Sequence, residues 1–233
     1  MTKGTLHLIS TPIGPPGPVL APYIAELLSR IPYIIVENEK TCKRVLASII
    51  GYDALNGKTF EVLDEHTKME TLPSLLEGLD RGTDGALLSE AGSPCVADPG
   101  AGLVALAHRR GIRVVPHPGP SSIIQALMAS GLNGQRFLFE GYLPIKDGER
   151  RRRMVELEKL SLSQKMSVAF IETPYRIQTL MGALLVTLRA DTQLCVASGL
   201  MTDEEWIYTD TVGRWKQKPP ELPKNPTVFI FQG

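Results

Sequence analysis

The chain has 233 residues in which 25 Lys plus Arg balance 25 Asp plus Glu, so no global field recruits a polyanion and any nucleic-acid contact must come from a local cluster. Cys42, Cys95 and Cys195 show no C-x-x-C spacing, and His7, His66, His108 and His117 include no pair at helical spacing. That speaks against a disulfide framework, suits a reducing cytosol and predicts no metal. The apolar run at residues 6–9 is too short for a signal peptide and no run of about eighteen apolar residues would span a bilayer, so a soluble, cytoplasmic protein is expected.

A strand is predicted over residues 5–10. It breaks at Thr11-Pro12-Ile13-Gly14-Pro15-Pro16-Gly17-Pro18, whose prolines cannot join a ladder, so this is a rigid loop at a strand's carboxyl end, where parallel sheets carry ligands. Val19, Leu20, Ile24, Leu27 and Leu28 then share one helical face, residues 33–36 form a second strand, and Glu37-Asn38-Glu39-Lys40 is its polar exit. A helix over 41–50 turns Val45, Leu46, Ile49 and Ile50 inward. Residues 51–59, G-Y-D-A-L-N-G-K-T, place five residues between the glycines where a phosphate loop needs four, so they read as a plain loop. A strand follows at 60–63, and Thr67-Lys68-Met69-Glu70 has capping-box spacing ahead of the stripe Leu72, Leu75, Leu76 and Leu79.

The chain is organised around the next stretch. Residues 85–88 read as a buried strand that runs into Ser89-Glu90-Ala91-Gly92-Ser93-Pro94-Cys95-Val96-Ala97-Asp98-Pro99-Gly100. Asp98 is placed to cap a helix that starts with Pro99. Glu90 is the sole charge between Leu87 and Ala97, and the small residues beside it let a ligand approach the backbone. The helix stops at Gly111, residues 112–115 form another strand, and Pro116-His117-Pro118-Gly119-Pro120-Ser121-Ser122 leads to a helix capped by Ser121 or Ser122 and bearing Ile124, Leu127 and Met128.

The boundary between an α/β first domain (1–134) and a second (135–233) is expected at Gly131, Asn133 and Gly134. Residues 136–143 alternate like an antiparallel strand. Arg150-Arg151-Arg152-Arg153 then opens a helix, most simply as a solvated face, with a polyanion contact as the rival reading. Strands are predicted at 166–171, 193–197, 206–208 and 227–231, with an amphipathic helix ending at Leu188 and a proline-rich connector over 219–226. G-x-G-x-x-G is absent, which disfavours a conventional NAD site.

Taken together, Thr11-Pro12-Ile13-Gly14, the Ser89-to-Pro94 loop with Asp98-Pro99-Gly100, Val114-Val115-Pro116-His117-Pro118-Gly119-Pro120, Arg136-Phe137, Glu140-Gly141-Tyr142-Leu143-Pro144 with Lys146, and Glu172-Thr173-Pro174-Tyr175-Arg176 resemble the small-subunit ribosomal RNA methyltransferase I family of the tetrapyrrole methylase superfamily. The match runs nearly end to end. The resemblance implies an S-adenosylmethionine-dependent methylation of a cytidine ribose 2′-hydroxyl. It also implies two α/β domains, the N-terminal with a mostly parallel sheet and the C-terminal with a mixed one, the donor in the cleft between them, and a homodimer. Donor contacts implied by it are Ile13, Ser89, Glu90, Ala91, Gly92, Pro94, Val96, Gly119, Ser121 and Ser122, with a wall near Ile171, Ala197 and Pro226; Lys146 and Arg150 sit where the family's basic, RNA-facing loop lies.

A sulfonium donor needs close backbone contacts and a few polar groups rather than a phosphate nest, and in-line methyl transfer needs mainly positioning. A ribose hydroxyl is a poor nucleophile, so a base is expected nearby; Glu37, Glu39 and Glu90 are the candidates, each equally readable as a donor-binding carboxylate or a cap. The family's T-P-I-G-N-L is T-P-I-G-P-P here, its E-D-T-R is Glu37-Asn38-Glu39-Lys40, and its D-A-G is Glu90-Ala91-Gly92. Its A-R-E-L-T-K becomes Ala197-Ser198-Gly199-Leu200-Met201-Thr202, followed by Asp203-Glu204-Glu205, an acidic run that repels phosphates. Three functions follow: methylation of RNA ribose, methylation of a tetrapyrrole or other small acceptor, or a non-catalytic donor-binding module.

Overall fold

The computed structural model describes residues 2–15 and 19–233; Pro16-Gly17-Pro18 of the proline-rich loop lies outside the described residues. The chain divides after Ser121 into two compact units. In the first, β1 (Thr5–Ile9), α1 (Pro22–Arg30), β2 (Tyr33–Val36), α2 (Glu39–Ile50), β3 (Thr59–Val62), the short α3 (Leu72–Leu75) and α4 (Glu77–Asp80), β4 (Gly85–Leu88), α5 (Ala101–Arg109) and β5 (Arg113–Pro116) build a five-stranded sheet ordered β3-β2-β4-β1-β5. Every pairing is parallel.

A parallel strand is covered on both faces, and the period of two along each strand separates two cores. Ile34 and Val36 of β2 and Ala86 and Leu88 of β4 join Ile24, Leu28 and Leu46 of α1 and α2. Ile35 and Leu87, between them in sequence, join Leu72, Leu75, Leu79, Leu103 and Ala107 on the opposite face. The leucine stripe at 72–79 is thus buried as expected, but Thr67 is not the start of one helix. Its hydroxyl donates to Asp64, 2.7 Å away, and a turn of 3-10 helix then leads into α3 and α4, because Thr67 closes a tight turn with Asp64 instead of capping. Val19 and Leu20 likewise precede α1 rather than belonging to it.

The second unit contains α6 (Ser122–Ser130), β6 (Phe137–Tyr142), α7 (Asp147–Gln164), β7 (Ser167–Glu172), α8 (Ile177–Thr187), β8 (Gln193–Ser198), β9 (Trp206–Thr211), α9 (Val212–Gln217) and β10 (Thr227–Gln232). Its sheet runs β6-β7-β10-β8-β9 and is mixed. Here β6 lies parallel to β7, not antiparallel as its alternation suggests. The link between them is the eighteen-residue α7, a helical crossover that returns the chain in the same direction, and period-two alternation marks a half-exposed edge strand of either sense.

Val168, Phe170, Leu194, Val196, Phe229 and Phe231 bury one face of this sheet against α7, α8 and α9. The opposite face, with the small side chains of Ala169, Cys195 and Ala197, receives α6 through Ile123, Ala126 and Leu127. That packing is why α6 goes with the second sheet, although the sequence reading draws its boundary at 134/135. Phe229 is fully buried with its ring stacked on Phe170 at 5.7 Å and 8°. Phe229→Ala is expected to lower stability by about 3–5 kcal/mol, measured by urea unfolding followed by circular dichroism; a loss under about 1 kcal/mol contradicts this packing.

Candidate active site

The order β3-β2-β4-β1-β5 sets the carboxyl ends of β4, β1 and β5 side by side, so the loops that leave them form one rim. Open parallel sheets bind ligands at such a place. Two backbone bonds join the first two loops: Thr11 N–H donates to the Gly92 carbonyl at 2.9 Å and Gly92 N–H to the Thr11 carbonyl at 3.1 Å. The buried Thr11 hydroxyl reaches the Ser89 carbonyl at 3.1 Å, and Ser89 Oγ donates to the Gly92 carbonyl at 2.5 Å. Ser93 ties in the third loop, its hydroxyl lying 3.2 Å from Ser10 Oγ and 3.3 Å from the Pro120 carbonyl.

Glycine is required at two points of this knit. Gly92 has φ +84°, and a Cβ there would stand 3.3 Å from Ile13 Cγ2; at Gly119 a Cβ would lie 2.5 Å from Ser10 Cβ. Ile13, Ser89, Glu90, Ala91, Gly92, Pro94, Val96 and Gly119 therefore share the rim, with Glu90, Ala91 and Val96 exposed and Ser89 and Pro94 buried. Ser121 ends the first unit and Ser122 is the first residue of α6. Ile171 and Ala197 belong to the second unit, where each pairs across Val228 of β10, and the Pro226 carbonyl accepts from Gly199 N–H.

Asp98 does not cap α5. Gly100, at φ +129°, occupies the position before Ala101, and the helix start has no side-chain cap. A Cβ on Gly100 would fall 2.8 Å from both Cys95 Sγ and Leu87 Cδ2, so the chain passes too close to the strand for Pro99 to begin the helix, and Asp98 is released toward the rim. There it hydrogen-bonds Glu37, with Glu90 close enough to act on its charge. The register Val36↔Leu88 explains the meeting, since Glu37 and Ser89 are the next residues of adjacent strands. Burial first, then the Glu37 carboxylate, then Glu90, push the Asp98 carboxyl from 3.8 up to about 7.

Among the described residues none of Glu37, Glu90 and Asp98 is ion-paired, whereas Glu39 is held by Lys43 one turn along α2. Asp98 is thus the member that residue-by-residue reading missed. A capping role hid it, and the adjacency of the β2 and β4 ends was the available signal. Cys42 and Cys95, also near these carboxylates, are thiols pushed up to about 12 and about 11, chiefly by burial, and stay protonated. Among the described residues no group of three or more His, Cys, Asp or Glu is placed to hold a metal ion, and no helix is long and apolar enough to cross a membrane.

The two basic candidates separate. Lys146 is exposed and only loosely paired with Glu149, at 3.4 Å. Arg150 is 6% exposed and turns inward: its guanidinium donates to the Ile145 carbonyl at 3.0 Å and to Asp147 at 2.7 Å, which locks the first turn of α7. Arg153 forks onto Glu140 of β6 at 2.6 and 2.8 Å, leaving Arg151 and Arg152 toward solvent. The acidic run is also partly engaged, since Glu205 accepts from Met201 N–H and Glu204 from Asn225, both at 2.8 Å.

The family described as Tetrapyrrole (Corrin/Porphyrin) Methylases matches residues 5–215. A protein named ribosomal RNA small subunit methyltransferase I from Vibrio cholerae is 33% identical over 231 residues, 98% of this chain and 77% of its own length. A protein of the same name from Mesorhizobium japonicum is 35% identical over 207 residues, 89% of this chain and 67% of its own. In fold the chain is similar to uroporphyrin-III C-methyl transferase from Thermus thermophilus, solved with S-adenyl homocysteine, at a TM-score of 0.58 and 18% identity over 98% of this chain and 97% of that one.

The raised Asp98 value carries a consequence for stability. Because the folded value lies above the unfolded one, this group's contribution is fully present below about pH 4 and is lost as pH rises through about 7. Asp98→Asn, which keeps the neutral form, is expected to unfold at higher urea than the unsubstituted chain at about pH 8, with the gap closing toward pH 4. Equal midpoints at both pH values would show that the carboxyl is not perturbed.

Proposed function

The chain belongs to the ribosomal RNA small subunit methyltransferase I family of the tetrapyrrole methylases, and on that premise we propose that it transfers a methyl group from S-adenosylmethionine to a cytidine ribose 2′-hydroxyl of small-subunit ribosomal RNA. The observation that carries this reading is the unpaired carboxylate group at the rim, Glu37, Glu90 and Asp98. A donor with a sulfonium and an ammonium group is cationic, and carboxylates with no basic partner of their own suit it. The exposed Ala91 beside Glu90, with no bulky side chain to hold a ligand off the backbone, suits its close approach. S-adenosylmethionine, when bound, supplies an electrophilic methyl group. Glu90 would hold the donor's positive charge from the exposed side of the loop, and Ser89 and Gly92 would keep that loop in place.

Glu37 and Asp98 have the other task. Asp98, pushed up to about 7 with Glu37 beside it, is ionised above that pH and can take the proton that a ribose hydroxyl gives up as it is methylated. Lys146 remains the basic contact for the RNA backbone in this proposal. A homodimer and a cytosolic location, where small ribosomal subunits are found, complete it.

Tritiated-methyl transfer to small ribosomal subunits from a strain lacking this protein is the decisive assay. Label in the ribosomal RNA is expected, and none at saturating donor would refute the proposal. Glu90→Ala is expected to weaken S-adenosylhomocysteine binding about tenfold by titration calorimetry. Unchanged affinity would remove Glu90 from the donor site. The transfer rate should rise through about pH 7, and Asp98→Asn should abolish that rise; a pH profile unaltered by the substitution would exclude the pair as the proton acceptor.

A further inference from the structure

The second unit carries a cavity of about 600 Å³ at its sheet edge, lined by Trp206, Tyr208, Asp210, Arg214, Trp215 and Lys218 among others. That volume is in the range of small-ligand sites. Trp206, Tyr208 and Asp210 alternate on one face of β9, the edge strand, so their side chains project together and no further strand covers them among the described residues. The rings of Trp206 and Tyr208 lie 6.3 Å apart and 24° from parallel, a nearly continuous aromatic platform, and the two residues are 36% and 49% exposed. Trp215 of α9 buttresses both edge-on, at 6.1 and 5.3 Å, and is itself fixed by its indole N–H donating to the Leu194 carbonyl at 2.9 Å. The platform is therefore rigid before anything binds it, which limits the entropy lost on binding.

The cavity wall itself carries Arg214 and Lys218 against Asp210 and Glu221, and further cations lie close by in the chain. Residues 212–224 hold Arg214, Lys216, Lys218 and Lys224 against the single carboxylate Glu221, in a chain with no net charge. Asp210 lines the cavity but is occupied, lying 3.3 Å from the Tyr208 hydroxyl and 3.7 Å from Arg214, whose side chain is 74% exposed. The acidic turn before Trp206 is engaged through Glu204 and Glu205, with Asp203 exposed. Flat aromatic faces for bases beside mobile cations for phosphates are what unpaired nucleic acid requires. A duplex keeps its bases stacked and offers none to the platform.

We propose that Trp206 and Tyr208, with Arg214 and Lys218, form a stacking site for an unpaired stretch of the RNA acceptor. This rests on the RNA acceptor proposed above but concerns a different place in the chain. Binding of a fluorescein-labelled single-stranded RNA dodecamer to the full chain, followed by anisotropy, tests it. Trp206→Ala and Tyr208→Ala are each expected to weaken binding about tenfold, Trp206→Phe to restore most of it, and Arg214→Ala to reduce the slope of log affinity against log salt by about 0.7.

The same sequence as a duplex should bind at least tenfold more weakly, and S-adenosylhomocysteine affinity should be unchanged in every variant. Equal binding by unsubstituted chain and Trp206→Ala overturns the stacking site, as does equal binding of duplex, or loss of a self-association in Trp206→Ala with RNA affinity intact. Ribosomal RNA methylated at full rate by the double alanine variant overturns it while leaving the acceptor reading intact. RNA held by the platform with no methyl transfer refutes the acceptor reading alone.

Discussion

Everything at the rim of the first sheet depends on the pair of backbone hydrogen bonds between Thr11 and Gly92. Two loops separated by eighty residues of chain would otherwise sample many arrangements, each costing conformational entropy to fix. Beyond the parallel ladder of β1 and β4, which ends at Ile9 and Leu88, the two loops meet again in this antiparallel bridge. Ser89, Ser93 and Ser10 then spend their hydroxyls inward, on carbonyls and on one another, rather than outward on a ligand. The loops are thereby tied together with Ala91 exposed, and beside it Glu90 is the charge left facing solvent.

Against this frame the carboxylates stand out as a conflict. Three acidic groups converge without a cation among the described residues, and the fold relieves the repulsion by keeping a proton on Asp98 near neutrality. Such a cluster costs stability that a neutral residue at position 98 would not cost.

Much of this was legible in the chain. The strands at 33–36 and 85–88 are bounded as expected because continuous apolar runs of parallel strands leave little ambiguity. The central loop was recognisable from Glu90 amid small residues. Asp98 was not, because Asp-Pro before an apolar stretch is a sound helix start by local rules, and only the close passage of Gly100 over Leu87 overrides it. Nor was the inward turn of Arg150 legible: a run of four arginines gives no hint of which one is buried, and its partners Ile145 and Asp147 are set by the path into α7. The aromatic platform was invisible because Trp206 and Trp215 meet only once β9 and α9 fold back on each other.

The strand order has a last consequence, for how the chain is made. β1 is synthesised first among the strands but pairs only with β4 and β5, so it has no partner until residues 85–88, and then 113–116, have left the ribosome. Until then β2 and β3 can associate with each other, while the opening strand waits as an unsatisfied edge. Closure of the first sheet is therefore a late, long-range event in translation, and a nascent chain stalled before residue 116 would present its amino-terminal strand to chaperones or to other chains.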